Sequence, residues 1–232
     1  MRTQQSEFPK AVLFDLDGTM VDSAPDFIAV INRMRADRGR VPMALADLRP
    51  VVSKGARAML GAGFPDVASG EREAWVQEFL DLYERELGLH GRPFEGIEAM
   101  LATLEAHGTA WGIVTNKPEY LARKLMPLLS WESRCRVLIG GDTLPVRKPD
   151  PLPLLHAAQS MGVDAGECIY VGDDERDIIA AQAAGMPSVV ALWGYRLHED
   201  DPFAWQGDVL VHEPVQLCEA AAWPGPVRRS RA

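Results

Sequence analysis

Apolar residues along this chain fall into two alternating patterns. Short unbroken runs at 11–14, 111–114, 137–139, 168–171 and 188–192 have the length and composition of strands buried on both faces, and 209–211 is a weaker sixth. Between them, at 97–107, 118–129, 151–161 and 175–184, apolar residues recur at helical spacing. Gly185, followed by Pro187, supplies a stop for the last of these helices. Strands alternating with helices predict βαβ units. The fold class is therefore α/β, a Rossmann-like parallel sheet core flanked by helices.

The interval 22–91 breaks this rhythm and contains no convincing strand. Ser23 with Asp26 three residues on reads as a capping box for a helix running to Asp37, and 71–87 reads as one long helix. A shorter helix at 55–60 lies between Lys54 and a Gly61-Ala62-Gly63 turn. These features predict an inserted all-helical cap subdomain at 22–91, hinged near Val21-Asp22 and near 90–94. The α/β core is then 1–21 together with 92–223. Residues 224–232, with Arg228, Arg229 and Arg231, are expected to form a disordered tail.

Composition narrows the class. The 232 residues are 47% hydrophobic and 25% charged, the balance of a globular protein. A net charge of −9, from 24 Lys plus Arg against 33 Asp plus Glu, repels nucleic acid and anionic membranes, so neither is expected as a partner. A small anionic substrate stays possible, because a bound metal and a few cations invert the field inside one cleft. Cys135, Cys168 and Cys218 lack the spacing of a zinc site or a disulfide framework and read as reduced thiols. With no apolar leader and no spanning segment in the sequence, the expectation is a cytoplasmic protein, monomeric or homodimeric.

Four segments carry candidate chemistry, each at the end of a strand or in a loop before a helix. In Asp15-Leu16-Asp17-Gly18-Thr19 the first carboxylate is ionised at neutral pH and needs no base to attack phosphorus. Asp17 sits where it can give a proton to a leaving oxygen and later take one from water. Thr115-Asn116 ends the second strand, where a hydroxyl and helix N-terminal amides can bind phosphate, although taken alone it is an ordinary helix cap. Lys148, in Arg147-Lys148-Pro149-Asp150-Pro151, lies in a loop before a helix and can serve as a point charge for phosphate and for Asp15; Arg147 can share that role. Gly172-Asp173-Asp174-Glu175-Arg176-Asp177 again runs from a strand into carboxylates. Asp15, Asp173 and the carbonyl of Asp17 are a sufficient protein contribution to a magnesium octahedron, with Asp177 orienting Lys148 or a metal-bound water. In the predicted cap, Lys54 and Arg57 flank Gly55 and can pair with a substrate carboxylate, or can be a solvated helix start.

Taken in order, D-L-D-G-T, T-N, K-P-D-P and G-D-D-E-R-D resemble the four signature motifs of the haloacid dehalogenase superfamily over about 11–192. The insert after the first motif is similar to the small cap of the phosphoglycolate phosphatase and β-phosphoglucomutase branch. The resemblance implies Asp15 as nucleophile, Asp17 as general acid/base, Thr115 and Lys148 as phosphate binders, and Asp173 as a Mg2+ ligand with Asp15 and the Asp17 carbonyl. It implies a phosphomonoester hydrolase of the phosphoglycolate phosphatase type acting on a small acidic phosphorylated metabolite. W-G-I-V-T-N-K-P, S-K-G-A-R-A-M and the W-G-Y loop also resemble N-acetylmuramic acid 6-phosphate phosphatases of cell-wall recycling. Asp17 argues against a dehalogenase, whereas a sugar-phosphate mutase would need the same four motifs. A non-catalytic binding module would have no need of Asp15, Asp17, Lys148 and Asp173 together.

Overall fold

The computed structural model describes residues 8–225. Its core is a six-stranded parallel sheet in the order β5-β4-β1-β6-β7-β8. The apolar runs become β1 (Ala11–Phe14), β4 (Ala110–Val114), β5 (Leu138–Ile139), β6 (Cys168–Gly172), β7 (Ser188–Ala191) and β8 (Val209–Val211). β1 lies between β4 and β6, with Phe14 opposite both Ile113 and Val171. Alternate residues of these strands serve two cores. Val12, Phe14, Ile113 and Val171 join α6 (Ile97–Ala106) and α7 (Glu119–Leu128) on one face. Ala11, Leu13, Val114 and Tyr170 join α8 (Leu152–Met161) and α9 (Glu175–Ala184) on the other. Burial on both faces is why the strands read as continuous apolar runs rather than as alternation.

Between β1 and β4 the chain leaves the sheet through β2 (Val21–Asp22) and returns through β3 (Arg92–Pro93). These two pair antiparallel, so the interval predicted to lack strands is bounded by a short two-stranded ribbon. The insert comprises α1 (Ala24–Asp37), α2 (Leu45–Leu48), a 3₁₀ turn at Arg49–Lys54, α3 (Ala56–Gly63), α4 (Ser69–Ala74) and α5 (Val76–Glu86). Phe27, Ile31, Met34, Phe64, Phe79 and Tyr83 are buried in its core.

Three local expectations are corrected. The long helix expected at 71–87 breaks at Trp75, whose ring packs edge-on against Phe64 and beneath the Arg38 guanidinium; tertiary contacts override a periodic pattern there. Gly61 and Gly63 lie inside α3 rather than in a turn. No capping box forms at Ser23, whose Oγ is buried without a hydrogen-bond partner among the described residues. Asp26 instead accepts the backbone N–H groups of Gly88, His90 and Gly91 at 2.7–2.9 Å, clipping the outgoing chain to the returning one. The tail expected from 224 onward lies, but for Pro224 and Gly225, outside the described residues. Among the described residues no helix is long and apolar enough to cross a membrane.

Candidate active site

All four polar segments gather at the carboxyl end of the sheet, where strand order around β1 opens a crevice. Asp15 follows β1 directly and its N–H donates to the Val171 carbonyl at 2.9 Å, which locks its backbone to β6. The next residues turn back sharply. Gly18 has φ +91°, and a Cβ there would fall 2.3 Å from Asp173 Oδ2, so only glycine allows both the turn and the close approach of that carboxylate. Gly194 meets Asp173 in the same way from the loop after β7, where a Cβ would lie 2.2 Å from that of Asp173.

Lys148 is buried in a cage of three partners. Its Nζ lies 2.9 Å from Asp15 Oδ1, 2.7 Å from Asp177 Oδ1 and 2.6 Å from the Tyr170 hydroxyl, which itself donates to the Val114 carbonyl at 2.7 Å. Burial works against the ammonium, but Asp15 and Asp177 outweigh it and keep the Lys148 pKa above its ordinary value. Asp177 also caps α9 by accepting the Asp174 N–H at 3.1 Å, so both of its oxygens are engaged. Asn116 Nδ2 donates to the Lys148 carbonyl at 2.9 Å and braces that loop, while the Thr115 hydroxyl accepts the Lys117 N–H at 3.2 Å.

Asp173 is fully buried. Its carboxylate accepts the Thr19 hydroxyl at 2.9 Å, the Ser53 hydroxyl at 2.8 Å and the Tyr195 N–H at 2.9 Å. One oxygen each from Asp15, Asp173 and Asp177 lies within 4.8 Å of the others. Three buried carboxylates thus share one ammonium, which leaves negative charge uncompensated. Burial, with Asp15 and Asp177 alongside, pushes the Asp173 carboxyl well above the usual range. Burial likewise pushes Asp177 up to about 6, with Lys148 opposing and Asp15 reinforcing the shift. A divalent cation relieves that imbalance, and an all-oxygen donor set suits a hard one. The cluster can therefore hold a metal ion.

A cavity of about 290 Å³ opens between this cluster and the helical insert. Asp15, Asp17, Thr115, Asn116 and Lys148 line it from the sheet side, and Phe27, Phe79 and Tyr83 from the insert. Lys54 and Arg57 line it too, but both are engaged. Lys54 pairs with Asp174 at 2.9 Å and Asp200 at 3.0 Å, tying the insert to the sheet, whereas Arg57 makes a bidentate pair with Glu73 at 2.6 and 2.7 Å.

Several participants lie in segments that carry the family resemblance, yet no role of their own is legible in the sequence. Lys117 pairs with Asp17 at 3.0 Å, Ser53 reaches Asp173 from the insert, and Arg176 donates to the Ser53 carbonyl. The Tyr195 hydroxyl donates to Asp22 at 2.6 Å and accepts the Ala24 N–H, joining the Asp173 loop to the outgoing chain. Local signals were the position of Lys117, two residues past Thr115 at a strand end, and the S-K-G-A-R-A-M and W-G-Y segments that hold Ser53 and Tyr195.

The chain is similar to known proteins. The family described as "Haloacid dehalogenase-like hydrolase" matches residues 12–191. A phosphoglycolate phosphatase of Xanthomonas campestris pv. campestris is 63% identical over 219 residues, covering 94% of this chain and 99% of the relative. An N-acetylmuramic acid 6-phosphate phosphatase of Pseudomonas aeruginosa is 44% identical over 211 residues, covering 90% and 93%. A crystal structure described as a predicted phosphoglycolate phosphatase from Haemophilus somnus shares the fold, with a TM-score of 0.79 at 23% identity over 92% of this chain and 97% of that one.

Proposed function

Because the chain belongs to the haloacid dehalogenase-like hydrolases, we propose that its site hydrolyses phosphate monoesters through an aspartyl-phosphate on Asp15. The observation that carries this reading is the Asp15–Lys148 pair at 2.9 Å, with Asp17 lining the same cavity. A carboxylate held at a strand tip by a buried ammonium is a preorganised nucleophile. In the first half-reaction Asp15 bonds to phosphorus while the ester oxygen leaves with a proton from Asp17. In the second, Asp17 takes a proton from water as its oxygen attacks the phosphoryl group, which leaves as inorganic phosphate and frees Asp15.

Lys148 and the Thr115 hydroxyl hold the phosphoryl oxygens, and Asn116 keeps the Lys148 loop in place. Asp15 and Asp173, two of the three clustered carboxylates, would hold a magnesium ion together with the main-chain carbonyl of Asp17 that the family resemblance implies, and the ion would neutralise charge on the phosphoryl oxygens. Asp177 orients Lys148. The helical insert acts as a cap that shuts the cavity against water.

The substrate is a small acidic phosphorylated metabolite of the phosphoglycolate type, as the name of the 63% identical relative supports. Lys54 and Arg57 are the cap cations that line the cavity, and either would have to exchange an acidic partner for the substrate carboxylate. A second reading, a phosphorylated sugar acid such as N-acetylmuramic acid 6-phosphate, is favoured by one observation: Phe27, Phe79 and Tyr83 offer the cavity broad aromatic surface, whereas phosphoglycolate has almost no apolar surface to cover it.

The reading is tested by magnesium-dependent release of phosphate from p-nitrophenyl phosphate. Wild-type turnover lost in Asp15→Asn and with chelator supports it; equal turnover in the variant overturns it. The ratio of kcat/KM for phosphoglycolate and N-acetylmuramic acid 6-phosphate then chooses between substrates. Isomerised sugar phosphate in place of inorganic phosphate would identify a mutase.

A further inference from the structure

Of the three lysines that line this cavity, two serve the aspartates that follow β1, one each. Lys148 holds Asp15, while Lys117, just beyond β4, holds Asp17: its Nζ lies 3.0 and 3.1 Å from the two Asp17 carboxylate oxygens. The same Nζ donates to the Tyr83 hydroxyl at 2.5 Å and sits over the rings of Tyr83 and Phe27, 4.3 and 5.1 Å from their centroids. Tyr83 and Phe27 belong to α5 and α1 of the insert, so one buried ammonium joins the acid/base aspartate of the sheet to an aromatic wall of the cap.

From this junction we infer that Lys117 is a positioning residue for Asp17, and that Tyr83 makes its hold depend on the cap resting against the sheet. The inference rests on the phosphatase reading above.

The terminal torsion of an aspartate is broad, so an aspartate without partners samples many orientations of its two oxygens. Among the described residues, Lys117 is the only hydrogen-bond donor to the Asp17 side chain. A two-oxygen contact from a fixed ammonium selects one plane. Lys117 is itself fixed, since its side chain is only 3% exposed and a buried cation must keep its counter-charge. Tyr83 completes the cage with a hydroxyl that burial, and then the charges of Asp17 and Asp26, hold in its neutral form. When the cap lifts, Lys117 loses this hydroxyl and two ring faces, and the plane of Asp17 is released. Proton transfer is then available only in the closed, water-poor state, which also keeps Asp17 from delivering water to an empty site.

This role has a signature that a merely structural lysine lacks. Proton donation by Asp17 matters most for a poor leaving group and least for one that departs as a stable anion. The value of kcat/KM reports events up to transfer onto Asp15, before Asp17 is needed as a base. The test compares kcat/KM for p-nitrophenyl phosphate and a simple alkyl phosphate, neither with charge beyond the phosphate, in wild type, Lys117→Met, Tyr83→Phe and Asp17→Asn.

The expected result for Lys117→Met is a fall of about 10²-fold on the alkyl ester and less than about tenfold on the aryl ester. Tyr83→Phe keeps the ring and removes only the hydroxyl, so it repeats the test without stripping charge from a buried site and should show the same sign with a smaller ratio. Equal falls on both esters in the two variants overturn the inference. Asp17→Asn separates this failure from that of the underlying reading. If it too shows no leaving-group selectivity, the assignment of Asp17 as acid is what fails.

Discussion

Replacing Lys148 by Met removes the ammonium that, among the described residues, alone pairs with the cluster of Asp15, Asp173 and Asp177, through Asp15 and Asp177. In the native structure its Nζ touches Asp15, Asp177 and Tyr170, and the side chain is only 2% exposed. Breaking a buried ion pair from one side costs about 3–5 kcal/mol, because the remaining charge has neither solvent nor partner. In a domain of this size each kcal/mol lowers Tm by roughly 2–4 °C, so thermal unfolding in chelator should fall by about 10 °C. The loss should depend on pH. Asp177 has a folded pKa of about 6 even with Lys148 present, above its unfolded value, so the native state binds more protons between the two. Stability from this group is therefore present at low pH and declines as pH rises through that window. Without Lys148 the folded value moves higher still, and the variant's penalty should be larger at pH 8 than at pH 5.5. Magnesium and Lys148 share Asp15 and offset the charge of the same cluster, so the variant should bind magnesium more tightly than wild type, although turnover is lost. The assay is circular dichroism melting at the two pH values, with chelator and with magnesium. An unchanged Tm in chelator, or weaker magnesium binding by the variant, would refute the charge accounting.

Other consequences follow from the same contacts. Asp26→Ala removes one carboxylate from three backbone N–H groups and should cost about 3 kcal/mol in denaturant unfolding, with proteolytic cutting near 88–91 as an independent readout. Gly18→Ala should weaken magnesium binding at least tenfold by calorimetry, since its methyl would displace Asp173 and its φ of +91° is strained for alanine, at about 1–3 kcal/mol. In the wild type, magnesium affinity should fall as pH drops, because burial holds the Asp173 and Asp177 carboxyls above their ordinary range and a cation bound to the cluster must displace their protons; affinity flat from pH 5 to 8 would contradict that charge balance.

Strand positions were readable because the sheet is buried on both faces, so Ala11–Phe14 and Cys168–Gly172 stand out as apolar runs ending in carboxylates. The ends of those strands are also where a parallel sheet binds ligands, which singled out Asp15, Thr115 and Asp173 before any distance was known. Long-range partners left no local trace. Asp26 looked like a helix cap because Ser23 precedes it, yet its partners are 62–65 residues away. Trp75 fitted helical periodicity, and only the ring of Phe64 and the guanidinium of Arg38 stop the helix there. Tyr83 fell on the apolar face of α5, where nothing in the sequence separates a core aromatic from one that meets Lys117 across the cavity.

A phosphoryl group carried by Asp15 is open to direct trapping. Wild-type protein turning over labelled substrate with magnesium should be quenched in acid within milliseconds, digested, and the labelled peptide sequenced by mass spectrometry. A hydroxylamine-sensitive phosphate is expected on the peptide containing Asp15, absent from Asp15→Asn. Steady turnover with no protein-bound phosphate, or with the label on another residue, would contradict it.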